Sequence, residues 1–430
     1  MMLTVEEMVM MAINYLKTDN ATLEKLQNLI EYCMVDEFQD TSTDQITFLK
    51  MLTEKNKNLM AVGDPRQNIY SFRGANAKYI TYFDKYFPGG VYINMNTNYR
   101  SSQEIVGFSN IIAKDDSSSK TDNYEDSITP NNVGVSPTIL ETKEICKHIK
   151  TYLEKGYDYK DMFILTRTNA ELQDFEASLS VEGIPYRTYN NKSFLDSPEI
   201  KVLTSYLLLS DNLKDNDSFI YVMNRPSRFL AKATLNKIKD DSLYNGLMKL
   251  AKEEWKLKRA ANDLSFVIGS LRTNHFDNVG SMIHFIRHTL DLDNFIRKDQ
   301  VDTDDRIENM DKFEKTCEGF TSVEQLKVFM NKIQTNNKKK DENKVHLLTA
   351  HKSKGMQNKV VFVAGMNVEK FPHKNATDIE SEVRLFYVAC TRAEEHLILL
   401  KDFLQPPSMF LKYYNDYMQK NISERESDSA

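Results

Sequence analysis

Short apolar segments recur along the chain, and each is followed by a polar turn and then by apolar residues at helical spacing. This alternation is typical of parallel strands joined by crossover helices. The segments that predict strands are 32–35, 59–62, 91–95, 162–165, 345–348, 360–364 and 396–400. We therefore predict an α/β fold built on parallel sheets.

The alternation stops between residues 215 and 344, where the apolar residues recur at helical spacing throughout. The clearest helical segments are 243–258, 279–290 and 322–333. This region predicts a helical insertion within an α/β domain. The polar stretch 114–137 predicts a loop, the charged stretch 338–344 a linker, and the polar end 421–430 a disordered tail.

Composition narrows the class of protein without identifying a ligand. The chain has 430 residues, of which 41% are hydrophobic, so it can form two or three domains with a core each. Its formal net charge of -6 provides no overall attraction to nucleic acid, so any DNA binding must come from local clefts.

Two further features bear on localisation and metal binding. No run of 18 apolar residues occurs, and residues 1–17 are interrupted by Glu6 and Glu7, so we expect neither a membrane span nor a signal peptide, and a cytoplasmic protein. The four cysteines lie far apart without a C-x-x-C pair. They predict free thiols rather than a zinc site or disulfides.

Two adjacent carboxylates follow the first apolar segment, in residues 32–40 (YCMVDEFQD). Open α/β sheets bind their ligands at the carboxyl ends of strands, which is where Asp36 and Glu37 are predicted to lie. Asp36 can hold Mg²⁺, directly or through water, and Glu37 can orient and deprotonate a water that attacks a phosphate. By itself such a pair is more often a solvated strand end. The neighbouring segments therefore decide whether Asp36 and Glu37 are catalytic residues.

The segment that follows the next predicted strand, residues 62–75 (VGDPRQNIYSFRGA), combines polar, aromatic and basic side chains in one loop. Gln67 can sense a γ-phosphate, Tyr70 and Phe72 offer flat faces for stacking bases, and Arg73 can contact a phosphate. One loop can therefore connect the nucleotide state to DNA binding. Alone, the two aromatic residues are more often part of a core.

These two segments resemble motifs II and III of superfamily 1 DNA helicases of the UvrD, Rep and PcrA type. Three more segments resemble the remaining motifs in the order of the family: 98–101 (NYRS, motif IV), 349–355 (TAHKSKG, motif V) and 384–393 (RLFYVACTRA, motif VI). A single short motif is weak evidence, but five in the correct order across most of the chain are hard to obtain by chance.

The resemblance implies a fold of two RecA-like parallel-sheet motor domains, the first truncated, with a helical insertion in the second. The implied domains are 1–90 for the remnant of the first motor domain, 91–214 with 345–404 for the second, 215–344 for the insertion and 405–430 for a C-terminal tail.

The resemblance also implies an activity, ATP-driven 3′ to 5′ movement on single-stranded DNA and at its junctions with duplex. Asp36 would bind Mg²⁺, Glu37 would be the catalytic base, and Gln67 would couple hydrolysis to movement. The implied cofactors are therefore ATP and Mg²⁺.

Residues of the later motifs would contact nucleotide and DNA. The resemblance implies that Tyr99 stacks on adenine and that Arg100 and Arg392 contact the γ-phosphate, stabilising the charge that develops in the transition state. Thr349 and His351 would contact the DNA backbone. Outside this context, an arginine of this kind is more often a surface salt bridge, and the histidine a structural hydrogen-bonding residue.

The sequence departs from the family in three places. The phosphate-binding pattern G-x-x-x-x-G-K-[ST], which the family places before motif II, matches nowhere in the 430 residues. Gln357 stands where the family usually has a glutamate that meets the ribose, which predicts a weaker nucleotide contact. The usual Gly-Ile-Gly after Arg228 is also missing, which weakens the case for duplex contact by the insertion.

Two functions from different classes remain open. The first is an ATP-dependent helicase, truncated or split, in which a separate N-terminal fragment carrying the phosphate loop completes the site and the chain alone is inactive. The second is a helicase-derived DNA-binding or regulatory protein without ATPase activity. Retention of residues 36–40, Gln67, Arg100 and Arg392 favours the first.

Overall fold

The computed structural model describes residues 5–71, 74–116, 134–189, 195, 197–238, 240–297, 303–338 and 342–428. Phe72 and Arg73, both predicted to contact DNA, lie outside the described residues, as does most of the predicted loop 114–137.

The chain divides into two compact units, Met1–Arg167 with Leu348–Ala430, and Thr168–Leu347. The first unit begins with α1 (Val5–Thr18), α2 (Asn20–Leu29), β1 (Cys33–Val35), α3 (Thr43–Thr53), β2 (Leu59–Ala61), α4 (Lys78–Thr81), α5 (Phe83–Tyr86), α6 (Gln103–Ala113), β3 (Thr138–Glu141), α7 (Ile145–Glu154) and β4 (Met162–Thr166). The second unit contains α8 (Asn169–Val181), β5 (Tyr186–Thr188), α9 (Pro198–Asp211), α10 (Asn216–Val222), α11 (Lys232–Leu235), α12 (Leu243–Glu253), α13 (Lys258–Thr273), α14 (Val279–Thr289), α15 (Leu292–Arg297), α16 (Thr303–Cys317), α17 (Val323–Lys338) and the start of β6 (Val345–Thr349). The first unit resumes with the end of β6, β7 (Asn358–Val363), α18 (Ile379–Cys390), β8 (Ala393–Lys401) and α19 (Leu411–Asp428). Among the described helices, none is both long and apolar enough for a membrane span.

The strands form two sheets. Strands β1 and β2 pair in parallel, with Cys33 opposite Leu59 and Val35 opposite Ala61. The larger sheet has the order β3-β8-β7-β4-β6-β5. Its neighbours β3 and β8, β8 and β7, β7 and β4, and β5 and β6 are all parallel. The prediction of an α/β fold with parallel sheets is confirmed.

The middle of the larger sheet is buried on both faces. All five residues of β4 are buried, and Val360–Val363 of β7 are fully buried. A strand covered on both faces needs apolar residues at every position, because neither face contacts water. This explains why the sequence shows continuous apolar runs here rather than alternation.

The structure differs from the predicted strands in three places. It assigns no strand to 91–95, although that segment has a strand-like sequence. It adds β3 and β5, which the sequence did not predict. These two lie at the outer ends of the larger sheet, and such edge strands can be short and partly polar, so their apolar signal is weak.

The prediction of a disordered tail is wrong for residues 421–428, which end helix α19. Apolar side chains in the first half of this helix anchor it: Tyr413 and Tyr417 are buried, and the ring of Tyr417 packs against Phe108 at a centroid distance of 5.8 Å. A helix fixed by one apolar stripe can carry a polar end beyond it.

The second unit is largely helical and has its own core. The three helical segments predicted from periodicity correspond to α12, α14 and α17. Helix α9 runs through the core with Ile200, Leu203, Tyr206 and Leu207 fully buried. The domain boundaries proposed from the sequence stay predictions.

The buried carboxyl group of Glu176 in α8 makes the stability of the chain depend on pH. Its side chain is almost fully buried, and its Oε2 atom has no hydrogen-bond partner among the described residues. Burial raises the pKa of Glu176 from 4.5 to about 8. The folded chain therefore keeps this proton over a range in which the unfolded chain has lost it, and stability falls as the pH rises through that range.

We expect Glu176→Gln to remove this dependence. The free energy of unfolding of the parent should fall by up to about 1.4 kcal/mol per pH unit between about pH 5 and 8 relative to the variant. Urea denaturation at pH 5, 6, 7 and 8 measures the difference. Glu182→Gln, at an exposed position just after the same helix, is the control, and an equal effect of both substitutions would contradict the assignment.

Candidate active site

The two carboxylates predicted to bind metal and water lie directly after β1, and both are exposed. Glu37 has a left-handed backbone with φ 50°, and its N–H donates to Oδ1 of Asp36 at 2.9 Å. A non-glycine residue in this conformation is uncommon and frequently marks a functional site. The fully buried ring of Phe38, which packs edge-on against Phe83, anchors the turn that presents them.

The loop after β2 is tied to these carboxylates through one buried amide. The N–H of Asp64 donates to Oε1 of Gln39 at 3.1 Å, and Nε2 of Gln39 donates to Oε2 of Glu37. Within the loop, Nε2 of Gln67 donates to Oδ2 of Asp64 at 3.1 Å. The segments that resemble motifs II and III therefore form one hydrogen-bonded unit.

Arg392 reaches the same unit from the turn after α18. It is 1% exposed, and its Nη2 donates to Oε1 of Gln67 at 3.4 Å, while two backbone carbonyls accept from its other nitrogens. Burial and then the neighbouring Arg100 lower the pKa of Arg392 to about 10, against the opposing effect of Glu37 and Asp64. Arg392 therefore stays positively charged at neutral pH beside these acidic residues.

Arg100 is held by Gln357, which is itself predicted to contact the nucleotide. Its Nε donates to Oε1 of Gln357 at 2.6 Å, and its Nη1 donates to the carbonyl of Thr391 at 3.4 Å. Tyr99, immediately before it, is 81% exposed, so its ring is accessible for stacking. The structure thus brings together three of the residues predicted to contact nucleotide: Arg100, Gln357 and Arg392.

Lys354 occupies the centre of this arrangement, and the sequence analysis gave it no role. Its Nζ donates to Oδ2 of Asp40 at 2.5 Å and to the carbonyl of Gln67 at 2.7 Å, and lies 3.6 Å from Oε2 of Glu37. Its side chain is only 7% exposed. Burial raises the pKa of Asp40, and Lys354 opposes that shift.

Two residues predicted to contact DNA lie next to each other. The hydroxyl of Tyr70 donates to the carbonyl of His351 at 3.5 Å, and their ring centroids are 6.5 Å apart. Nζ of Lys354 lies 5.4 Å from the Tyr70 ring centroid. Thr349 is buried, so its side chain is not displayed at the surface.

The residues at the end of β1 suit a nucleotide-bound Mg²⁺. Among the described residues, no group of three or more His, Cys, Asp or Glu is arranged to hold a metal ion, and all four cysteines are free thiols. Mg²⁺ is usually held by one or two carboxylates together with phosphates and water. Asp36 and Glu37 are hard oxygen donors, exposed and adjacent, and fit this kind of binding.

Comparison with known proteins agrees with the motif assignment. Residues 2–88 match the UvrD/REP helicase N-terminal domain, and residues 93–402 match the UvrD-like helicase C-terminal domain. The chain belongs to the UvrD-like helicase family. The membership predicted from the five motifs is thereby confirmed.

This UvrD-like chain has curated relatives named ATP-dependent DNA helicase PcrA. The protein from Staphylococcus epidermidis is 30% identical over 425 residues, which cover 92% of this chain and 58% of the relative. The protein from Staphylococcus aureus is 28% identical over 460 residues, which cover 97% of this chain and 62% of the relative. The chain therefore spans about three fifths of the length of these relatives.

Arg384, a second arginine of motif VI in this UvrD-like chain, has a structural role that the sequence analysis did not predict. Nε of Arg384 donates to the carbonyl of Asn68 at 2.8 Å, and its Nη1 donates to Oδ1 of Asp116 at 3.1 Å. It therefore ties the loop after β2 to helix α18. Motif resemblance marks such a residue but does not say what it touches, because both acceptors are distant in sequence.

We expect Lys354→Met to destabilise the chain by about 2–4 kcal/mol, because it leaves the carboxylate of Asp40 without its cation in a poorly hydrated position. Urea denaturation at pH 7 measures the loss. Lys412→Met is the matched control, since its ion pair with Asp115 has the same 2.5 Å separation but both side chains are nearly half exposed. That control should cost less than about 1 kcal/mol. Equal losses of stability in the two variants would show that the Lys354–Asp40 pair contributes no more than an exposed ion pair.

Proposed function

We propose that this chain is the larger part of an ATP-dependent DNA helicase that moves 3′ to 5′ on single-stranded DNA and acts at its junctions with duplex. The observation that carries the proposal is the contact of Arg392 with Gln67, beside Glu37 and Asp64. It joins groups from motifs II, III and VI in one place. The relatives named ATP-dependent DNA helicase PcrA support the same activity.

The carboxylates after β1 carry the hydrolytic chemistry in this proposal. Asp36 holds Mg²⁺, which when bound neutralises phosphate charge. Glu37 orients the attacking water and accepts its proton. Gln67 hydrogen-bonds both Asp64 and Arg392. It therefore transmits the change from ATP to its hydrolysis products to the loop after β2.

The arginines stabilise the negative charge that develops on the transferred phosphoryl group. Arg392 is fixed by its buried hydrogen bonds, and Arg100 is fixed by Gln357 and a backbone carbonyl. Fixed cations need little reorganisation during the reaction, which is why such groups are effective. Tyr99 stacks on adenine and Gln357 hydrogen-bonds the ribose.

A separate N-terminal helicase fragment completes the site in this proposal. The residues present provide the metal ligand, the base and the cations, but the 430-residue sequence contains no phosphate-loop pattern. Such a loop supplies backbone N–H groups and a lysine to the phosphates. The domains proposed are 1–90, 91–214 with 345–404, 215–344 and 405–430.

We expect Glu37→Gln to lower DNA-stimulated ATP hydrolysis by about 10²–10⁴-fold, because the amide does not accept the proton of water. The assay uses the chain together with the N-terminal part of the Staphylococcus epidermidis relative, expressed separately. Glu31→Gln, at an exposed position ahead of the same strand, should leave the rate unchanged. Full hydrolysis by the chain alone would refute the need for a fragment. DNA binding without hydrolysis in any mixture would favour the regulatory alternative.

We expect Tyr70→Ala to weaken binding to a single-stranded oligonucleotide by about 5–150-fold, from a stacking energy of about 1–3 kcal/mol per base. Tyr70→Phe should keep the affinity, since it keeps the flat face. Fluorescence anisotropy at one fixed salt concentration measures both. Tyr82→Ala, at an exposed aromatic ring for which no DNA contact is predicted, is the control. An equal loss for the phenylalanine variant would assign the effect to the hydroxyl instead.

A further inference from the structure

Two histidines lie one turn apart on the exposed side of α14, in the second unit. His284 and His288 are the only pair among the eight histidines of the chain that is separated by four positions. Both residues are exposed, and their ring centroids are 4.3 Å apart with an interplanar angle of 54°. Residues four apart lie on the same face of a helix, and two histidines at this spacing can bind one metal ion.

A carboxylate orients the first of the two rings. Nδ1 of His284 lies 2.9 Å from Oε1 of Glu314, which belongs to α16. An ionised carboxylate only accepts hydrogen bonds, so a neutral His284 donates from Nδ1 and keeps the free lone pair on Nε2. Histidines that bind metals usually donate their other ring N–H to a carboxylate or carbonyl in this way.

Glu314 is held in place by helix packing and by an arginine. An added Cβ at Gly280 of α14 would lie only 2.8 Å from the carbonyl oxygen of Glu314, so α14 and α16 are in close contact there. Nη1 of Arg287 donates to Oε2 of Glu314 at 2.7 Å, which leaves Oε1 for His284. The side chain of Glu314 is 20% exposed. It is therefore a fixed partner for the imidazole rather than a mobile surface carboxylate.

The charges around the two rings favour a cation. Arg287 also pairs with Asp293 at 2.9 Å and with Asp311 at 2.7 Å. Three carboxylates therefore surround a single guanidinium group, and neutral imidazoles add no positive charge. An excess of negative charge at this short range attracts a positive ion.

We propose that His284 and His288 bind one divalent transition-metal ion, with Glu314 as the carboxylate that orients His284. Imidazole favours ions such as Cu²⁺, Ni²⁺ and Zn²⁺, whereas Mg²⁺ takes oxygen ligands. Water fills the coordination positions that the two histidines leave open. The inference does not depend on the proposed function, because none of these residues belongs to the five helicase motifs.

A bound ion would connect two turns of α14 and, through Glu314, strengthen the contact with α16. An ion that binds the folded chain and not the unfolded chain stabilises the fold by mass action. Zn²⁺ should therefore raise the melting temperature of the full chain, and a chelator should reverse the increase. Mg²⁺ at the same concentration should leave it unchanged.

Isothermal titration calorimetry of the full chain with ZnCl₂ measures the site directly. His284→Ala and His288→Ala should each weaken binding by at least about 10–100-fold, the effect usual for loss of an outer partner alone. Glu314→Gln should weaken it by about tenfold, since the amide oxygen still accepts from Nδ1 but carries no charge. His275→Ala is the matched control, at an exposed histidine between α13 and α14.

Electron paramagnetic resonance of the Cu²⁺ complex identifies the ligands. We expect coupling to two imidazole nitrogens in the parent chain and to one in each single-histidine variant. Identical spectra in the parent and both variants would mean an adventitious ion only and would overturn the site. Equal weakening by His275→Ala, or Mg²⁺ binding as tight as Zn²⁺ binding, would also overturn it. An unchanged affinity in Glu314→Gln would refute the orienting role of the carboxylate. Circular dichroism verifies that each variant is folded.

Discussion

The buried cation of Arg392 is the constraint on which the candidate site depends. A guanidinium group at 1% exposure is tolerated only where acceptors surround it, and backbone carbonyls and the amide of Gln67 provide them. The same contacts fix its position relative to the carboxylates after β1. The part of the site that carries positive charge and the part that carries negative charge are therefore held together by protein groups before any ligand binds.

Lys354 adds a second link of the same kind. It connects Asp40, in the segment after β1, to the carbonyl of Gln67, in the loop after β2. Gln39 connects the same two loops through the two hydrogen bonds of its side-chain amide. The two loops are therefore held together as one unit. Tyr70 and His351, both proposed to contact DNA, lie beside these loops and contact each other.

The sequence by itself determined the α/β class, the helical character of the second unit and membership of the UvrD-like helicase family, because these depend on local periodicity and on short motifs. Through the motifs it also predicted Glu37, Gln67, Arg100 and Arg392 as site residues, of which Gln67 and Arg392 are in contact in the structure. Only the tertiary structure decided that Lys354 contacts Asp40, a residue 314 positions away, and that 91–95 forms no strand. Contacts between distant residues, and the presence or absence of a neighbouring strand, leave no local signal in a sequence.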